Sequence, residues 1–482
     1  MNASLPTVST DPADRARAQV HFGRGAAHQA AGRDDEARRE FELALAQWPG
    51  CAAAWSNLGL LAENALAHSQ ALGCYERALA LDPALFEATL NLATLLGRLK
   101  CFDEAERVFG QAIRLRPASA AAWSNLGAML ACLRRDADAL ACCAHAVQLD
   151  PNNAKARFNL SYPLLRQGRL EEGLLCMEAR DSAQKLQRQI DGPRWAGEDL
   201  GGRRLLLVSD AGHGDALQMA RYAGVLRARG AGALIFCGQA GLKRLFQEQG
   251  AFDRVLAYDE PPAASDWDLW SPLMSLPFLF RTRLDSIPAK LPYLHADEAR
   301  QAAWQARLRR GVPTGELRVG LVWRGNPRHE SDADRSLPHL RTLAPLAQVS
   351  GVRFVSLQSG AGADDVPQAP PGLALLPLEH PLGDFAETAA LVAGLDLVIG
   401  VDTSIVHLAG ALGVPVWVLL GDYKTDWRWL EGREDSPWYP GVMRLFRQRV
   451  AGDWAGVLAD VAAALAARAA SLQTGRAQAL AA

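Results

Sequence analysis

The chain has 482 residues, enough for about three domains of ordinary size. Apolar residues make up 49% and charged residues 22% of it, which argues against a disordered, collagen-like or composition-biased chain. Its 51 Lys and Arg residues nearly balance its 53 Asp and Glu residues, so the formal net charge of −2 provides no global positive field for binding nucleic acid or an anionic membrane.

The start of the chain and its hydropathy predict a cytoplasmic protein. The N-terminus lacks the basic region and apolar stretch of a secretory signal, and no run of about 18 apolar residues is present for a membrane span. Seven of the eight cysteines lie before residue 180 without a CxxC pair, so we expect buried thiols in a reducing compartment rather than zinc or disulfide sites. We expect residues 1–16 to be a flexible N-terminus and residues 473–482 to be a tail.

A set of residues recurs every 34 positions in the first part of the chain. The set consists of a proline, an asparagine followed by leucine, a small alanine and a large ring: Pro49, Pro83, Pro117 and Pro151; Asn57, Asn91, Asn125 and Asn159; Ala37, Ala71, Ala105 and Ala139; Phe41, Tyr75 and Phe109. Apolar residues recur every three or four positions within each copy, which predicts two amphipathic helices, and the proline stops the helix between copies. The pattern resembles the tetratricopeptide repeat.

These repeats are expected to form a superhelix over residues 17–184. Four copies are clear, and a weaker fifth follows, in which Pro163 is expected to kink the first helix. The concave face of such a stack usually holds an extended peptide or a partner protein. The alternative is that the repeats only stabilise the chain or form a homo-oligomer. The repeated asparagine either lines the groove or lies between helices, and the sequence favours neither position.

After a linker at residues 185–202, short apolar runs alternate with helical stretches, which is typical of an α/β fold. Strands are predicted at residues 203–209, 233–237, 253–258, 318–323, 352–358, 395–400 and 414–420. Their continuous hydrophobicity indicates parallel strands that are buried on both faces. We therefore expect two doubly wound, Rossmann-like halves, residues 203–300 and 301–472, with a hinge near residues 291–315. Ligands of such sheets bind at the carboxyl ends of the strands.

The loop after the first of these strands carries a candidate acid–base pair. Gly212 and Gly214 bracket His213, and Asp215 then opens a helix. A glycine-rich turn before a helix is a common site of close approach to a ligand. There Asp215, with His213 beside it, could take a proton from an acceptor hydroxyl or amide. The alternative is that Asp215 only caps the helix.

The loop after residues 395–400 carries a candidate phosphate site. Asp402, Thr403 and Ser404 stand at a strand-to-helix turn, and the unpaired amides of such a helix N-terminus attract an anion. His407 follows Thr403 by four positions and so lies on the same helix face, where it can point at the same ligand. The alternative is a structural histidine.

The loop after residues 318–323 is polar and basic. Trp323, Asn326 and Arg335 are predicted to contact the diphosphate of a donor, with Arg335 as the favoured cation. Gln358, at the end of the following strand, is assigned to the same donor site. The alternative is solvated surface, which is also how we interpret Asp332–Asp334, so no metal site is predicted.

Two of these loops resemble those of a known family. Residues 401–421, VDTSIVHLAGALGVPVWVLLG, resemble the nucleotide-sugar diphosphate site of glycosyltransferase family nine, typified by the ADP-heptose transferases. Residues 211–217, AGHGDAL, resemble the Gly-x-Gly-Asp turn of the same family. The resemblance implies a GT-B fold with the donor held mainly by the C-terminal half. It also implies inverting, metal-independent transfer with Asp215 as the general base.

Four further segments are similar to a bacterial group that joins tetratricopeptide repeats to this transferase: residues 323–329, 335–338, 426–430 and 435–440. In layout the chain is also similar to the O-linked N-acetylglucosamine and flagellin glycosyltransferases. The resemblance implies transfer of a sugar from a nucleotide-sugar donor, without a cofactor, to an acceptor presented by the repeats, such as a surface or flagellar polypeptide. His213 and residues 421–427 depart from the family pattern, which leaves the donor open.

Two alternatives to this function remain open. One is a cell-envelope polysaccharide transferase whose repeats recruit a partner. The other is a non-catalytic repeat scaffold in which the transferase fold is degenerate.

Overall fold

The computed structural model describes residues 11–376, 378 and 382–481. Residues 1–10 of the predicted flexible N-terminus and residue 482 of the predicted tail lie outside the described residues. The chain divides into two compact units. The first comprises the chain up to Leu130 together with Ala137–Leu160, and the second comprises Ala131–Asp136 together with the chain from Ser161 onward.

The first unit is built from consecutive helices. They are α1 (Pro12–Ala30), α2 (Asp34–Gln47), α3 (Ala52–Asn64), α4 (His68–Leu81), α5 (Phe86–Arg98), α6 (Phe102–Leu115), α7 (Ala120–Cys132), α8 (Asp136–Leu149) and α9 (Ala154–Arg166). α1 packs on α2, α3 on α4 and α5 on α6, as the 34-residue pattern predicts. The division between the units falls inside the predicted fifth copy, because α9, which contains Pro163, runs from the first unit into the second.

Glycines let the two helices of a copy approach each other closely. A Cβ atom on Gly25 would lie 2.6 Å from Cε1 of Phe41, and one on Gly59 would lie 2.6 Å from Cε1 of Tyr75. Both rings are completely buried, and the Tyr75 hydroxyl donates a hydrogen bond of 3.0 Å to Glu63. The recurrent glycine and the recurrent ring therefore form one contact within each of these copies.

Substituting Gly59 with alanine is expected to destabilise the repeats by about 1–3 kcal/mol, because the new methyl group overlaps a ring that cannot move freely. The matched control is Gly73→Ala on α4, where nothing lies within 4 Å of the new Cβ and higher helix propensity should stabilise by up to about 1 kcal/mol. Urea unfolding followed by circular dichroism measures both. Equal stability of the two variants would show that the Tyr75 ring accommodates the methyl group.

The repeated asparagines link neighbouring copies. The Asn125 amide donates to the Thr94 hydroxyl at 3.2 Å, and the Asn159 amide donates to the Ser124 hydroxyl at 2.9 Å. In both cases the partner lies in the preceding copy, so these two side chains lie between helices. This is one of the two positions that the sequence left open.

The second unit is an α/β region. Its helices are α10 (Leu170–Met177), α11 (Asp181–Gln189), α12 (His213–Met219), α13 (Tyr222–Ala228), α14 (Ala240–Gln249), α15 (Leu276–Leu279), α16 (Glu298–Gly311), α17 (Asp332–Arg335), α18 (Phe385–Val392), α19 (Ser404–Ala411) and α20 (Trp454–Ala481). Its strands are β1 (Arg204–Val208), β2 (Ala233–Gly238), β3 (Arg254–Ala257), β4 (Leu269–Pro272), β5 (Leu317–Val322), β6 (Val352–Ser356), β7 (Leu375–Leu376), β8 (Leu397–Val401), β9 (Val416–Leu420) and β10 (Met443–Arg447).

These strands form two parallel sheets, as the sequence predicts. The first sheet has the order β3-β2-β1-β4, and the second has the order β10-β9-β8-β5-β6-β7. Within the part of the chain that the structure describes, three strands were not predicted. β7 has only two residues, β4 contains a serine and ends in a proline, and β10 contains two arginines among its five residues, so none of the three is a long continuous apolar run.

One helix in the described part of the chain is long and apolar enough to cross a membrane by length and composition. It spans Trp454–Gln473 in α20 and has a mean hydropathy of 1.5. Val457, Leu458, Val461 and Leu465 on this helix belong to the core of the six-stranded sheet. These four side chains cover the sheet, and 28% of the span is buried in the structure.

Candidate functional site

The loops after β1 and β8 meet at the carboxyl ends of the two sheets. The helices that follow them, α12 and α19, pack against each other. A Cβ atom on Gly214 would lie 2.9 Å from Cδ2 of His407 and 3.4 Å from Cα of Ser404. The absence of a side chain at Gly214 therefore lets the turn that carries Asp215 contact the predicted phosphate loop.

The Asp215 carboxylate has two partners. Its Oδ2 accepts a hydrogen bond of 2.7 Å from the backbone N–H of Gly212, which closes the turn at the start of α12. Its Oδ1 forms an ion pair with Arg428. The capping alternative is therefore present in the structure. The side chain is nevertheless 23% exposed, so the carboxylate can still be reached by an acceptor group.

His213 belongs to the same turn and contacts α18. Its ring stacks on Phe385 of α18, with ring centroids 5.3 Å apart and planes 21° from parallel. Partial removal from water lowers the pKa of His213 below its ordinary value, so the imidazole is neutral at neutral pH. A neutral ring stacked on Phe385 joins the loop after β1 to the C-terminal half.

The turn after β8 forms a polar helix N-terminus. Thr403 precedes the first residue of α19, Ser404, and its backbone is extended. The first amides of a helix have no partner within the helix. The Thr403 hydroxyl is buried and has no hydrogen-bond partner among the described residues. The N-terminus of α19 therefore offers an anion both backbone amides and a hydroxyl group.

Asp402 is a largely buried carboxylate beside this helix. Its Oδ2 accepts a hydrogen bond of 2.8 Å from Nε1 of Trp429. Burial, together with the negative charge of Asp426, raises the pKa of Asp402 to about 6. Asp402 therefore carries a proton in weakly acidic solution, where an ordinary aspartate does not.

Substituting Asp402 with asparagine is expected to stabilise the protein at alkaline pH. An unfolded aspartate has a pKa of about 3.9, so between about pH 4 and pH 6 the folded chain holds a proton that the unfolded chain has lost. Stability therefore falls as pH rises through this window, and the loss persists above it. The Asp402→Asn variant should gain up to about 3 kcal/mol at pH 8 and about half of that at pH 5.

Urea unfolding at the two pH values measures this gain. Asp396, at the other end of β8, is the matched control, because it accepts hydrogen bonds from Arg318 and its pKa is lowered. Asp396→Asn should destabilise the protein at pH 8. A gain for Asp402→Asn that does not change with pH would contradict the raised pKa.

His407 is enclosed by aromatic residues. Its Nδ1 lies 2.9 Å from the Tyr439 hydroxyl, and its ring stacks on Trp429 with centroids 5.4 Å apart. Burial holds the pKa of His407 well below its ordinary value, and the positive charge of Arg428 lowers it further. The structure thus gives His407 the role of a neutral histidine in the wall of the site. Its contact with a ligand stays a prediction.

Two of the predicted donor contacts are engaged within the protein. The Trp323 ring is 1% exposed and belongs to the core of the six-stranded sheet. Gln358 accepts hydrogen bonds of 3.0 Å from the backbone N–H groups of Trp323 and Arg324, and its amide donates to Ala361 at 2.7 Å. Trp323 and Gln358 thus stabilise the loops after β5 and β6 within the protein, whereas the sequence analysis predicted that both contact a donor.

Asn326 and Arg335 are more accessible. Asn326 is exposed and accepts a hydrogen bond of 3.0 Å from the backbone N–H of Arg328. Nε of Arg335 lies 3.3 Å from Asp332, which also accepts a hydrogen bond of 3.0 Å from Ser336. Asp332 is only 14% exposed, so it is not the loop surface that we expected. Within the described residues, no group of three or more His, Cys, Asp or Glu side chains is arranged to hold a metal ion.

The sequence did not identify the residue that joins these loops. Arg428 is buried; it forms an ion pair with Asp215, donates to Asp426 at 2.9 Å and bonds the Gln218 side chain through Nε. Arg428 lies between two tryptophans in the segment DWRWL, which the sequence analysis used only as a point of resemblance. An arginine inside an apolar, tryptophan-rich segment was the available signal, because a buried arginine requires acidic partners.

Comparisons with known proteins place one part of this site, the turn after β8, in a recognised family segment. Residues 380–426 match the sequence model of glycosyltransferase family 9 (heptosyltransferase), and the match includes β8, α19 and β9. The protein FlbA of Caulobacter vibrioides is 31% identical over 325 residues, which are 63% of this chain and 53% of FlbA. The chain therefore spans about half the length of this curated relative.

Solved structures similar to this chain cover its helical part. One from a study of PilF of Pseudomonas aeruginosa is 17% identical, covers 49% of this chain and 94% of its own, and has a TM-score of 0.35. TTC0263 of Thermus thermophilus, described as a tetratricopeptide repeat protein, is 24% identical and covers 36% of this chain and 96% of its own, with a TM-score of 0.32. The fold of the first unit is defined by the pairwise packing of its own helices and not by these similarities.

Proposed function

We propose that this chain, in which helical repeats precede a glycosyltransferase family 9 segment, transfers a sugar from a nucleotide-sugar donor to an acceptor presented by the repeats. One observation carries the proposal. The family segment contains the polar N-terminus of α19, and Gly214 brings the turn with Asp215 into contact with that helix. The proposed phosphate site and the candidate base thus lie side by side.

The donor diphosphate binds at the N-terminus of α19. The amides of the first turn and the buried Thr403 hydroxyl donate hydrogen bonds to its oxygens. Asn326 and Arg335, from the loop after β5, add a hydrogen-bond donor and a positive charge. Arg335 suits this role because a guanidinium can bind two phosphate oxygens at once.

Asp215 acts as the general base in this proposal. It accepts the proton of the acceptor hydroxyl or amide as that group attacks the anomeric carbon of the sugar. The bond from this carbon to the diphosphate breaks on the opposite face, so the anomeric configuration inverts. The α19 amides, Thr403 and Arg335 stabilise the negative charge that grows on the diphosphate, as fixed dipoles and charges do in transition states.

The acceptor is proposed to be a polypeptide. A stack of helical repeats provides an elongated surface that suits an extended chain better than a small molecule. Capture of a surface or flagellar polypeptide by the full-length protein, and sugar transfer to it, would support this acceptor. Transfer to a cell-envelope saccharide in place of a polypeptide would contradict it.

Calorimetry with UDP, ADP, GDP and the corresponding nucleotide sugars tests the donor site. One nucleotide should bind selectively, and Thr403→Val, which removes the buried hydroxyl, should weaken its binding about 5- to 50-fold. Thr388→Val on α18 is the matched control, because the Thr388 hydroxyl bonds the backbone of Asp384. If the wild-type chain binds none of these nucleotides, the protein is the non-catalytic scaffold and the proposal is wrong.

A further inference from the structure

We propose that Arg134, together with Arg166, is a positioning residue for the transferase site. Arg134 lies in the turn between α7 and α8, Arg166 lies at the end of α9, and both belong to the second unit. They hold residues 421–431, here called the site loop, which carry Arg428 and Trp429. The inference rests on the proposed function for its meaning in catalysis, but its structural part can be tested independently.

Backbone hydrogen bonds attach the site loop to these segments at two points. The N–H of Lys424 donates to the carbonyl oxygen of Cys132 at 3.0 Å. The N–H of Glu431 donates to the carbonyl oxygen of Arg166 at 3.1 Å. The two points lie on either side of Arg428, so the repeat segments restrain the part of the loop that carries it.

Arg134 also joins the two ends of the site loop through ion pairs. Its Nη1 lies 2.5 Å from Oδ1 of Asp422, and its Nε lies 3.3 Å from Oε1 of Glu431. One guanidinium therefore binds carboxylates nine positions apart in the sequence. Because all three side chains are partly shielded from water, this arrangement holds the loop more firmly than a fully exposed pair would.

Arg166 contacts the middle of the site loop. It is buried, forms an ion pair with Asp136, and donates to the carbonyl oxygen of Thr425 at 3.5 Å. Burial raises the pKa of Asp136 to about 6, and the positive charge of Arg166 opposes that rise. Such a pair is costly to break, so the segment to which the loop is attached is itself rigid.

The other face of the site loop contacts the candidate catalytic groups. Arg428 forms the ion pair with Asp215, and Trp429 donates to Asp402. The contacts from Arg134 through the loop to Asp215 are therefore continuous and lie within one compact unit. Movement of the loop away from Arg134 would therefore displace Arg428 from Asp215 and Trp429 from Asp402.

Hydrogen exchange of the full-length chain tests the structural part. In Arg134→Gln, the amides of residues 421–431 should exchange at least about tenfold faster than in the wild type, because the loop opens more often. Asp422→Asn, which removes the loop carboxylate that pairs with Arg134, should give the same result. Arg157→Gln is the matched control, because Arg157 is exposed and lies on α9 with Arg166.

The outcomes separate this inference from the proposed function. Unchanged exchange in both Arg134→Gln and Asp422→Asn overturns the positioning role. Faster exchange in a chain whose wild type binds no nucleotide supports the positioning of the loop and refutes the transferase. With an active enzyme, Arg134→Gln should lower kcat several-fold and change the Kd of the donor nucleotide by a smaller factor, and Arg134→Lys should recover part of the loss.

Discussion

Replacing Arg428 with glutamine is expected to lower the free energy of unfolding of the second unit by about 3–5 kcal/mol. Arg428 is buried and bonds Asp215, Asp426 and Gln218. Glutamine removes the buried positive charge and leaves two partly buried carboxylates without a counter-ion. Urea unfolding followed by tryptophan fluorescence measures the loss, because Trp427 and Trp429 flank the substituted position.

Arg433 provides the matched control for this substitution. It pairs with Asp435 at 2.7 Å on the protein surface, so Arg433→Gln should cost less than about 1 kcal/mol. Adding Asp215→Asn to Arg428→Gln should recover part of the stability, because one unpaired carboxylate is removed. A loss near that of Arg433→Gln would mean that water already compensates the charge of Arg428.

Asp215→Asn is expected to lower the turnover of sugar transfer by about 10²- to 10⁴-fold, because asparagine cannot accept the proton of the acceptor. The amide oxygen can still accept the hydrogen bond from Gly212, so the turn should be preserved. The Kd of the donor should change little, since Asp215 is proposed to act on the acceptor. The rate of transfer from the nucleotide sugar that binds, and calorimetry of the same donor, measure the two effects.

A substitution at Asp384 is the control that distinguishes loss of the general base from loss of a helix cap. Its carboxylate accepts a hydrogen bond of 2.9 Å from the N–H of Glu387 at the start of α18, and it pairs with Arg244. Asp384→Asn should therefore weaken a cap and an arginine pair without affecting turnover. Wild-type turnover in a folded Asp215→Asn variant would assign the proton transfer to another group.

The sequence predicted the architecture because its signals are local and periodic. The recurrence of Pro, Asn and a ring every 34 residues identified the helical hairpins, and continuous apolar runs identified seven strands. β10 could not be recognised in this way, because Arg444 and Arg447 interrupt its apolar residues. An edge strand keeps one side in water, so its hydrophobicity is weaker than that of a central strand.

The sequence predicted which loops meet better than which side chains are exposed there. Parallel strands place their following loops at one edge of a sheet, so the loops with Asp215 and Thr403 could be located. Whether Trp323 points into the core or toward a ligand depends on packing, which sequence position does not determine. The pairing of Arg428 with Asp215 joins residues 213 positions apart, and no local pattern encodes such a contact.

The second unit takes residues 131–136 from the middle of the repeat sequence, and this limits how the chain can vary. Repeats added or deleted before residue 131 leave the contacts of Arg134 and Arg166 with the site loop intact. A deletion between residues 131 and 166, or expression of the chain from residue 185 onward, removes these contacts and exposes Asp422 and Glu431. Repeat number can therefore change before residue 131 without loss of these contacts, whereas residues 131–136 and the end of α9 belong structurally to the second unit.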